Sequence, residues 1–143
     1  MNAKPRIVVL GSNFAGMTTA RFLAKELKGK AEITVIDKKS YLLFVPNIPE
    51  TVMKNRNPQI DMHLQCLPFY EDDKTNFIQA RVTAIDPETK TVEYTPYVRP
   101  GSPSEKISYD YLVIALGCRL AYDDIEGFAE YGSTVSDCFY GNR

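Results

Sequence analysis

The sequence predicts an α/β fold in which a parallel β-sheet carries a small antiparallel β insert. Residues 7–10, 33–36 and 112–116 are short runs of branched apolar side chains without polar alternation, which is typical of parallel strands covered on both faces. A helical pattern separates the first two runs, and two strand-like runs joined by a turn precede the third. The three apolar runs are therefore expected to be the parallel strands.

The first strand, the helix and the second strand would form one βαβ unit of about 30 residues, the usual size. The helix is expected from about Phe14 to Leu27, with Lys28-Gly29 as its stop signal. Its apolar positions recur at helical spacing and are Ala15, Thr18, Thr19, Phe22, Leu23 and Leu27. Asp37 stands at the carboxyl end of the second strand.

The remaining elements are expected from turn and helix signals. Residues 41–52 suit a loop, because Pro46 and Pro49 interrupt their apolar run. A helix would start with Asn57 as its cap and end near Leu67. A hairpin is expected at about 77–97, with its turn at "DPETK", and "RPGSPSE" reads as a loop tip. A short strand and the third buried strand, ending at Gly117, would follow.

Composition excludes several classes of function. The 143 residues are enough for one domain with a sizeable core. The formal net charge of -1 provides no basic field for nucleic acid. No apolar run reaches the ~18 residues of a membrane span, and no signal-peptide pattern precedes the first strand. Cys66, Cys118 and Cys138 are too few and too widely spaced for a disulfide framework or a metal site, so a cytoplasmic location is expected.

The turn after the first strand, "GSNFAG", resembles a dinucleotide-binding loop with one residue altered. In such loops one glycine permits a tight turn, a second lets the backbone approach the pyrophosphate, and a third lets the helix pack closely on the strand. Gly11 and Gly16 can fill the first and third roles. Asn13 stands in the second and would tolerate a left-handed backbone better than most residues. The diphosphate would then lie at the helix N-terminus.

Asp37 lies 21 residues after Gly16, close to the usual distance of ~20. A carboxylate there can accept hydrogen bonds from both ribose hydroxyls and would repel a 2′-phosphate. This favours FAD or NAD over NADP. The alternative is an α/β domain with a purely structural glycine turn and a solvated Asp37.

Four segments together resemble one family. "ISYDYLVIALGC" resembles the "YDYLVIATG" segment of flavoproteins with two dinucleotide-binding domains. With "VVLGSNFAG", "VIDKKSYLLFVPNIPE" and "ARVTAIDPETKTV", the order and spacing resemble the FAD-dependent pyridine nucleotide-disulfide oxidoreductase superfamily. The similarity is to the branch of type II NADH:quinone dehydrogenases and sulfide:quinone oxidoreductases. It implies a Rossmann-like FAD/NAD(P)-binding fold.

The resemblance also implies a set of FAD-binding positions. The diphosphate would be lined by the loop residues Gly11, Ser12, Asn13, Phe14, Ala15 and Gly16. The adenosine would contact Asp37, with Lys38 beside it, and the backbone of Val82. Ala115, Gly117 and Cys118 match the strand-end turn near the diphosphate, where Leu116 replaces the family's threonine. Pro46 matches the segment beside the isoalloxazine ring.

The resemblance implies as well what the chain would do and what it would lack. No cysteine pair follows the second strand, so a redox disulfide is not expected. Cys138 would be the sulfur-handling thiol of the sulfide enzymes only if the alignment register shifted, and an idle thiol is favoured. No catalytic acid, base, nucleophile or metal ligand is expected.

The chain is expected to be the N-terminal part of an FAD domain, inactive alone and weak in FAD affinity. Its longer parent would pass electrons from NADH or sulfide to quinone. A C-terminal region that the parent has and this chain lacks would attach the parent peripherally to the cytoplasmic side of a membrane. A homo-oligomer is compatible with the sequence.

Two other functions fit parts of the sequence. A single-domain NAD-dependent dehydrogenase fits the first βαβ unit but not "YDYLVIALG". A non-catalytic nucleotide-binding or regulatory module also fits. The Tyr70/Lys74 pair has the Y-x-x-x-K spacing of short-chain dehydrogenases, but it lies in a polar stretch and is interpreted as chance. His63 is expected on a helix surface or partly buried, and residues 71–73 in a solvated turn.

Overall fold

The computed structural model describes residues 3–57, 60, 62–97, 101–118, 121 and 124–132. The chain forms two compact units. The first comprises residues 1–42 and 64–116, and the second comprises residues 43–63 and 117–143. Part of the predicted "RPGSPSE" loop, Cys138, and Pro58, which follows the predicted helix cap Asn57, lie outside the described residues.

The elements with described bounds are eight strands, four helices and one 3-10 turn. The strands are β1 (Arg6–Leu10), β2 (Glu32–Asp37), β3 (Tyr41–Leu43), β4 (His63–Gln65), β5 (Asn76–Asp86), β6 (Thr91–Pro96), β7 (Glu105–Ser108) and β8 (Tyr111–Ile114). The helices are α1 (Phe14–Leu27), α2 (Ile48–Met53), α3 (Leu67–Asp72) and α4 (Phe128–Tyr131), and the 3-10 turn is Val45–Asn47.

Six strands form one sheet in the order β7-β6-β5-β2-β1-β8, and β3 and β4 form a separate pair. β1 lies at the centre of the parallel part, with β2 on one side and β8 on the other. The first residues of β5 pair in parallel with β2. This arrangement confirms the predicted α/β fold with a parallel sheet.

The antiparallel part of the sheet grows out of β5. Beyond its parallel pairing with β2, the same strand pairs antiparallel with β6, and a register shift between Val82 and Ala84 interrupts the ladder. β7 adds a third antiparallel strand next to β6. The insert is therefore continuous with the parallel sheet, because one long strand belongs to both.

The core covers both faces of the parallel strands, which explains why their sequences lack polar alternation. On one face, Val9 and Val35 pack in a cluster with Ala20 of α1. On the other face, Val8 and Ile36 pack in a cluster with residues of the antiparallel strands, and among the described residues this cluster contains none from a helix.

Helix α1 has the predicted bounds, but its buried face was predicted incorrectly in part. Leu23 and Leu27 pack against the core, together with Met17 and Ala24. Ala15 and Thr18 are exposed, and Phe22 is 62% exposed. The small residues Gly16 and Ala20 are the fully buried ones. The prediction rested on helical spacing alone, whereas the close approach of this helix to the sheet selects Gly16 and Ala20 for the fully buried positions.

Strand β8 is paired with β1 on one side only, and in the described residues its other edge carries no strand. The prediction of a third fully buried strand is wrong in this respect. Leu112 and Val113 are half-buried, whereas Tyr111 and Ile114 are 64% and 63% exposed. At the start of the strand, the Arg6 amide donates to Asp110 Oδ2 at 2.7 Å and the Asp110 amide donates to the Arg6 carbonyl at 2.8 Å.

Two predictions for residues 41–67 are wrong. The expected loop at 41–52 contains β3, the 3-10 turn and most of α2, because Pro46 and Pro49 lie at the beginnings of short helical turns, where proline is tolerated. The expected helix from Asn57 to Leu67 does not extend through residues 63–65, which form β4.

Helix α1 approaches the sheet so closely that Gly16 has no room for a side chain. A Cβ atom there would lie 1.9 Å from the Gly11 carbonyl oxygen and 3.4 Å from the Ala115 Cβ. The nearest obstacle is backbone, which cannot rotate away. The helix can therefore reach this position only with glycine at 16.

Replacement Gly16→Ala should destabilise the chain by about 3 kcal/mol or more, the upper end of the usual cost of overpacking. Gly29→Ala is the matched control, because a Cβ at Gly29 meets nothing within 4 Å and only its φ of +77° is unfavourable. That strain should cost about 1–2 kcal/mol. Urea unfolding measures both, and equal losses in the two variants would contradict the packing account.

Candidate functional site

The site is built where β1, β2 and β8 end beside the start of α1. Gly11 makes the turn out of β1 with φ at +99°, and its amide donates to the Ile36 carbonyl at 2.8 Å. A Cβ at Gly11 would lie 2.2 Å from the Ala115 carbonyl oxygen. Both the left-handed backbone and this contact require glycine, so the sequence identified the role of Gly11 correctly.

Asn13 is the N-cap of α1 and is exposed, with φ at -89° and ψ at -161°. This is ordinary extended backbone, so the left-handed tolerance of asparagine considered from the sequence is not used. Its carbonyl accepts the Met17 amide at 2.9 Å, but its side chain makes no capping hydrogen bond. The first turn of α1 also carries no acidic residue.

The N-terminal amides of α1, at Ala15 and Gly16, thus receive neither an Asn13 cap nor a first-turn carboxylate. Amides in this position, together with the helix dipole, favour an anion. The mouth of this turn is therefore suited to a phosphate group.

Asp37 faces the glycine loop from the end of β2. The Ser12 amide donates to its Oδ2 atom at 2.5 Å, and the Lys39 amide donates to its Oδ1 atom at 2.8 Å. These two bonds fix the plane of the carboxylate. Each carboxylate oxygen has a second lone pair, so the group can still accept hydrogen bonds from hydroxyls of a ligand.

A cleft of about 260 Å³ adjoins Asp37. It is lined by Ile36, Asp37, Lys38, Ala80, Arg81, Val82 and Leu116. The structure thus brings together three residues assigned from sequence to adenosine, namely Asp37, Lys38 and Val82. Sequence reasoning missed Arg81, whose position one residue before Val82 on the same strand was the available signal.

Lys39 lies next to this cleft without lining it. Burial lowers the pKa of its ammonium, the neighbouring charge of Lys38 lowers it further, and Asp37 acts in the opposite direction. The ammonium lies 5.6 Å from the centre of the Tyr41 ring. These contacts place a second positive charge near the cleft.

A buried polar cluster lies on the inner side of the glycine loop. The Ser12 Oγ and Tyr70 Oη atoms are 2.6 Å apart, and both residues are 1% exposed. The fully buried Cys66 directs its thiol towards the Ser12 carbonyl at 3.8 Å. Tyr70 was set aside as half of a chance Tyr/Lys pair. That interpretation agrees with its burial, but its contact with the loop was missed.

Burial is the main cause of two pKa shifts in this cluster. It raises the pKa of the Cys66 thiol above its usual range, against the effect of the hydrogen bond to Ser12. It raises the pKa of Tyr70 to about 12, again against the Ser12 hydrogen bond. Both groups therefore remain protonated at neutral pH, and neither is a thiolate or phenolate nucleophile.

The strand-end turn packs directly on the loop. The Ala115 amide donates to the Leu10 carbonyl at 2.8 Å, which carries the β1–β8 pairing to the loop. The Ala115 Cβ lies 3.4 Å from the position that a Cβ at Gly16 would take, so this strand end and the start of α1 are closely packed. Leu116, which stands where the family has threonine, lines the cleft and is 53% exposed.

Two predicted flavin contacts belong to the second unit. Pro46 lies in the 3-10 turn, and Gly117 has φ at +77° beside the exposed Cys118. Their assignments to the flavin stay predictions.

The minor candidates have structural explanations. His63 is half-buried, as expected, but in β4 and not on a helix. Residues 71–73 end α3, and Asp73 pairs with Arg21 at 2.9 Å. Among the described residues no group of histidine, cysteine and carboxylate side chains could hold a metal. In the same residues no helix is both long and apolar enough to cross a bilayer.

The buried hydroxyl of Tyr70 predicts a response to alkaline pH. An unfolded tyrosine ionises near pH ~10, whereas the folded group has a pKa of about 12. Stability from this group is therefore complete below pH ~10 and is lost as the pH rises towards the folded value. The difference in unfolding free energy between the native chain and Tyr70→Phe should shrink over this range. A difference independent of pH in urea titrations would contradict the assigned burial.

Comparison with known proteins agrees with this geometry. The family model described as pyridine nucleotide-disulphide oxidoreductase matches residues 5–139. A type II NADH:quinone oxidoreductase of Staphylococcus haemolyticus is 30% identical over 135 residues, which are 94% of this chain and 31% of that protein. A sulfide-quinone reductase of Aquifex aeolicus is 31% identical over 129 residues, 90% of this chain and 28% of that protein.

The solved structure of the sulfide:quinone oxidoreductase from Aquifex aeolicus superimposes with a TM-score of 0.73 at 34% identity. The match covers 90% of this chain and 27% of that chain. This chain thus spans about a third or less of the length of the relatives it matches. Since the family model covers nearly all of its residues, the chain belongs to the pyridine nucleotide-disulphide oxidoreductase family.

Proposed function

We propose that this chain is the FAD-binding part of a flavin-dependent oxidoreductase that passes electrons from NADH or sulfide to quinone. The relatives described above carry those donors and that acceptor in their names. The observation that carries the proposal is Asp37. Its carboxylate is fixed at the carboxyl end of β2 by the Ser12 and Lys39 amides, between the glycine loop and the cleft.

The residues present fit the ADP half of FAD in three respects. Gly11 lets the loop turn tightly against the Ala115 carbonyl, where a Cβ would clash at 2.2 Å. The first turn of α1 has neither a side-chain cap from Asn13 nor an acidic residue, so a diphosphate meets no competing charge there. Asp37 and Val82 both line the cleft, so that a ribose could contact the Asp37 carboxylate while the adenine contacts the backbone of Val82.

The flavin, when bound, supplies the chemistry of electron transfer. The residues of this chain bind and orient it. The helix amides hold the diphosphate, Asp37 accepts hydrogen bonds from the ribose hydroxyls, and Leu116 contributes an apolar wall to the cleft. The site residues named here are assigned to binding and orienting the flavin, not to acid, base or nucleophilic catalysis.

The same carboxylate favours FAD or NAD over NADP. Asp37 is fixed towards the loop and would repel a 2′-phosphate on the ribose. Whether the parent oxidises NADH or sulfide depends on residues beyond this site. Contact with quinone, peripheral membrane association and self-association are likewise proposals for the longer protein, as is the idle role of Cys138.

Replacement Asp37→Asn should weaken FAD binding by the chain about 10- to 100-fold, the value of hydrogen bonds to a charged group. Flavin fluorescence and absorbance titrations measure the affinity, which is expected to be weak even before the substitution. Glu88→Gln is the control, since it removes one negative charge from the exposed hairpin turn. Failure of the native chain to bind FAD, or equal affinity in both variants, would overturn the proposal.

A further inference from the structure

We infer that Ser12 and Tyr70 form a positioning pair that fixes the inner side of the glycine loop, so that the first-turn amides of α1 keep facing the diphosphate. This inference rests on the proposed function, because the diphosphate is the ligand that those amides would bind. Neither side chain touches the ligand in this account. Tyr70 acts through Ser12, and Ser12 acts through the backbone of the loop.

Three polar groups of Ser12 contact two other segments of the chain. Its amide donates to Asp37 at the end of β2. Its hydroxyl bonds to Tyr70 in α3, and its carbonyl lies 3.8 Å from the thiol of Cys66, the N-cap of α3, which is also 3.6 Å from the Leu64 carbonyl. With its side chain 1% exposed, Ser12 points into the protein and not at the mouth of the turn.

Tyr70 is in turn held firmly. Its ring stacks on Phe77 of β5, with centroids 5.5 Å apart and an interplanar angle of 10°. Its amide donates to the Cys66 carbonyl at 3.3 Å, and its carbonyl accepts the Thr75 amide at 2.8 Å. A hydroxyl carried by such a rigid ring has little freedom, so it can define the position of its partner.

The hydroxyl itself indicates the role. A phenylalanine would fill the same space and stack on Phe77 equally well, so packing does not require the Tyr70 oxygen. Burying a hydroxyl costs free energy unless it is hydrogen-bonded. Its described hydrogen-bond partner is the Ser12 hydroxyl. The Tyr70 oxygen therefore fixes the position of the loop through Ser12 and adds nothing to apolar burial in the core.

This arrangement couples two parts of the site. The amide that Ser12 gives to Asp37 is one residue from Asn13, where α1 begins. Release of the Ser12 side chain would therefore loosen both the carboxylate of Asp37 and the start of the helix. Loss of the distant Tyr70 hydroxyl should consequently affect the ribose and diphosphate contacts together.

Amide hydrogen exchange tests the pair without any ligand. Tyr70→Phe and Ser12→Ala should each speed exchange at the hydrogen-bonded amides of Gly11, Ser12 and Met17 by about 2- to 10-fold, the value of one ordinary hydrogen bond. The double variant should exchange no faster than the faster single variant, because both substitutions break the same bond. Tyr94→Phe is the matched control, since it removes a buried hydroxyl bonded to Glu105 at 2.9 Å. It should change exchange in the antiparallel strands only.

FAD titration of the same proteins completes the test. Tyr70→Phe should bind FAD about 2- to 10-fold more weakly, and Tyr94→Phe should bind it as the native chain does. Exchange at the amides of Gly11, Ser12 and Met17 that rises no more in Tyr70→Phe than in Tyr94→Phe overturns the inference, as does additive behaviour of the double variant. Unchanged FAD affinity in Tyr70→Phe overturns it as well. If the native chain binds no FAD, only the proposed function is overturned. The exchange measurement then decides by itself whether Ser12 and Tyr70 position the loop.

Discussion

The backbone contact between α1 and the ends of β1 and β8 is the constraint on which the rest of this structure depends. Gly16 lies against the Gly11 carbonyl, and Gly11 lies against the Ala115 carbonyl, with no space for a Cβ atom at either glycine. This contact sets the position of the helix N-terminus relative to the strand ends. The uncapped amides, the turn and the adjoining cleft all take their places from it.

Electrostatics then adapts this frame to a nucleotide. The first turn of α1 carries no acidic side chain, whereas Asp37 lies one strand away and is fixed by amides of the loop and of its own segment. The amides that would attract a diphosphate and the carboxylate that would accept hydrogen bonds from ribose hydroxyls therefore lie at different places in the site. The hydrogen bond between the buried hydroxyls of Ser12 and Tyr70 holds the loop residue that lies between these two places.

The sequence predicted the parallel strands, the bounds of α1, the packing of Gly11 and Gly16 and the position of Asp37 at the end of β2, because steric requirements there are local and belong to few residue types. It did not predict the exposed Phe22 or the half-exposed β8, since both depend on which elements lie alongside. Short turns and the brief strand β4 carry weak periodic signals. The contact between Ser12 and Tyr70 spans 58 positions and has no local signature.

The most direct measurement of the central claim is an amide chemical-shift map of the isotope-labelled chain during titration with ADP. The account predicts that the largest changes fall on the amides of residues 14–16, on Asp37 and Lys38, and on Val82. The described part of the antiparallel strands beyond Ala84 should change little. Shifts confined to other surfaces, or none at an ADP concentration that saturates a weak site, would contradict the account.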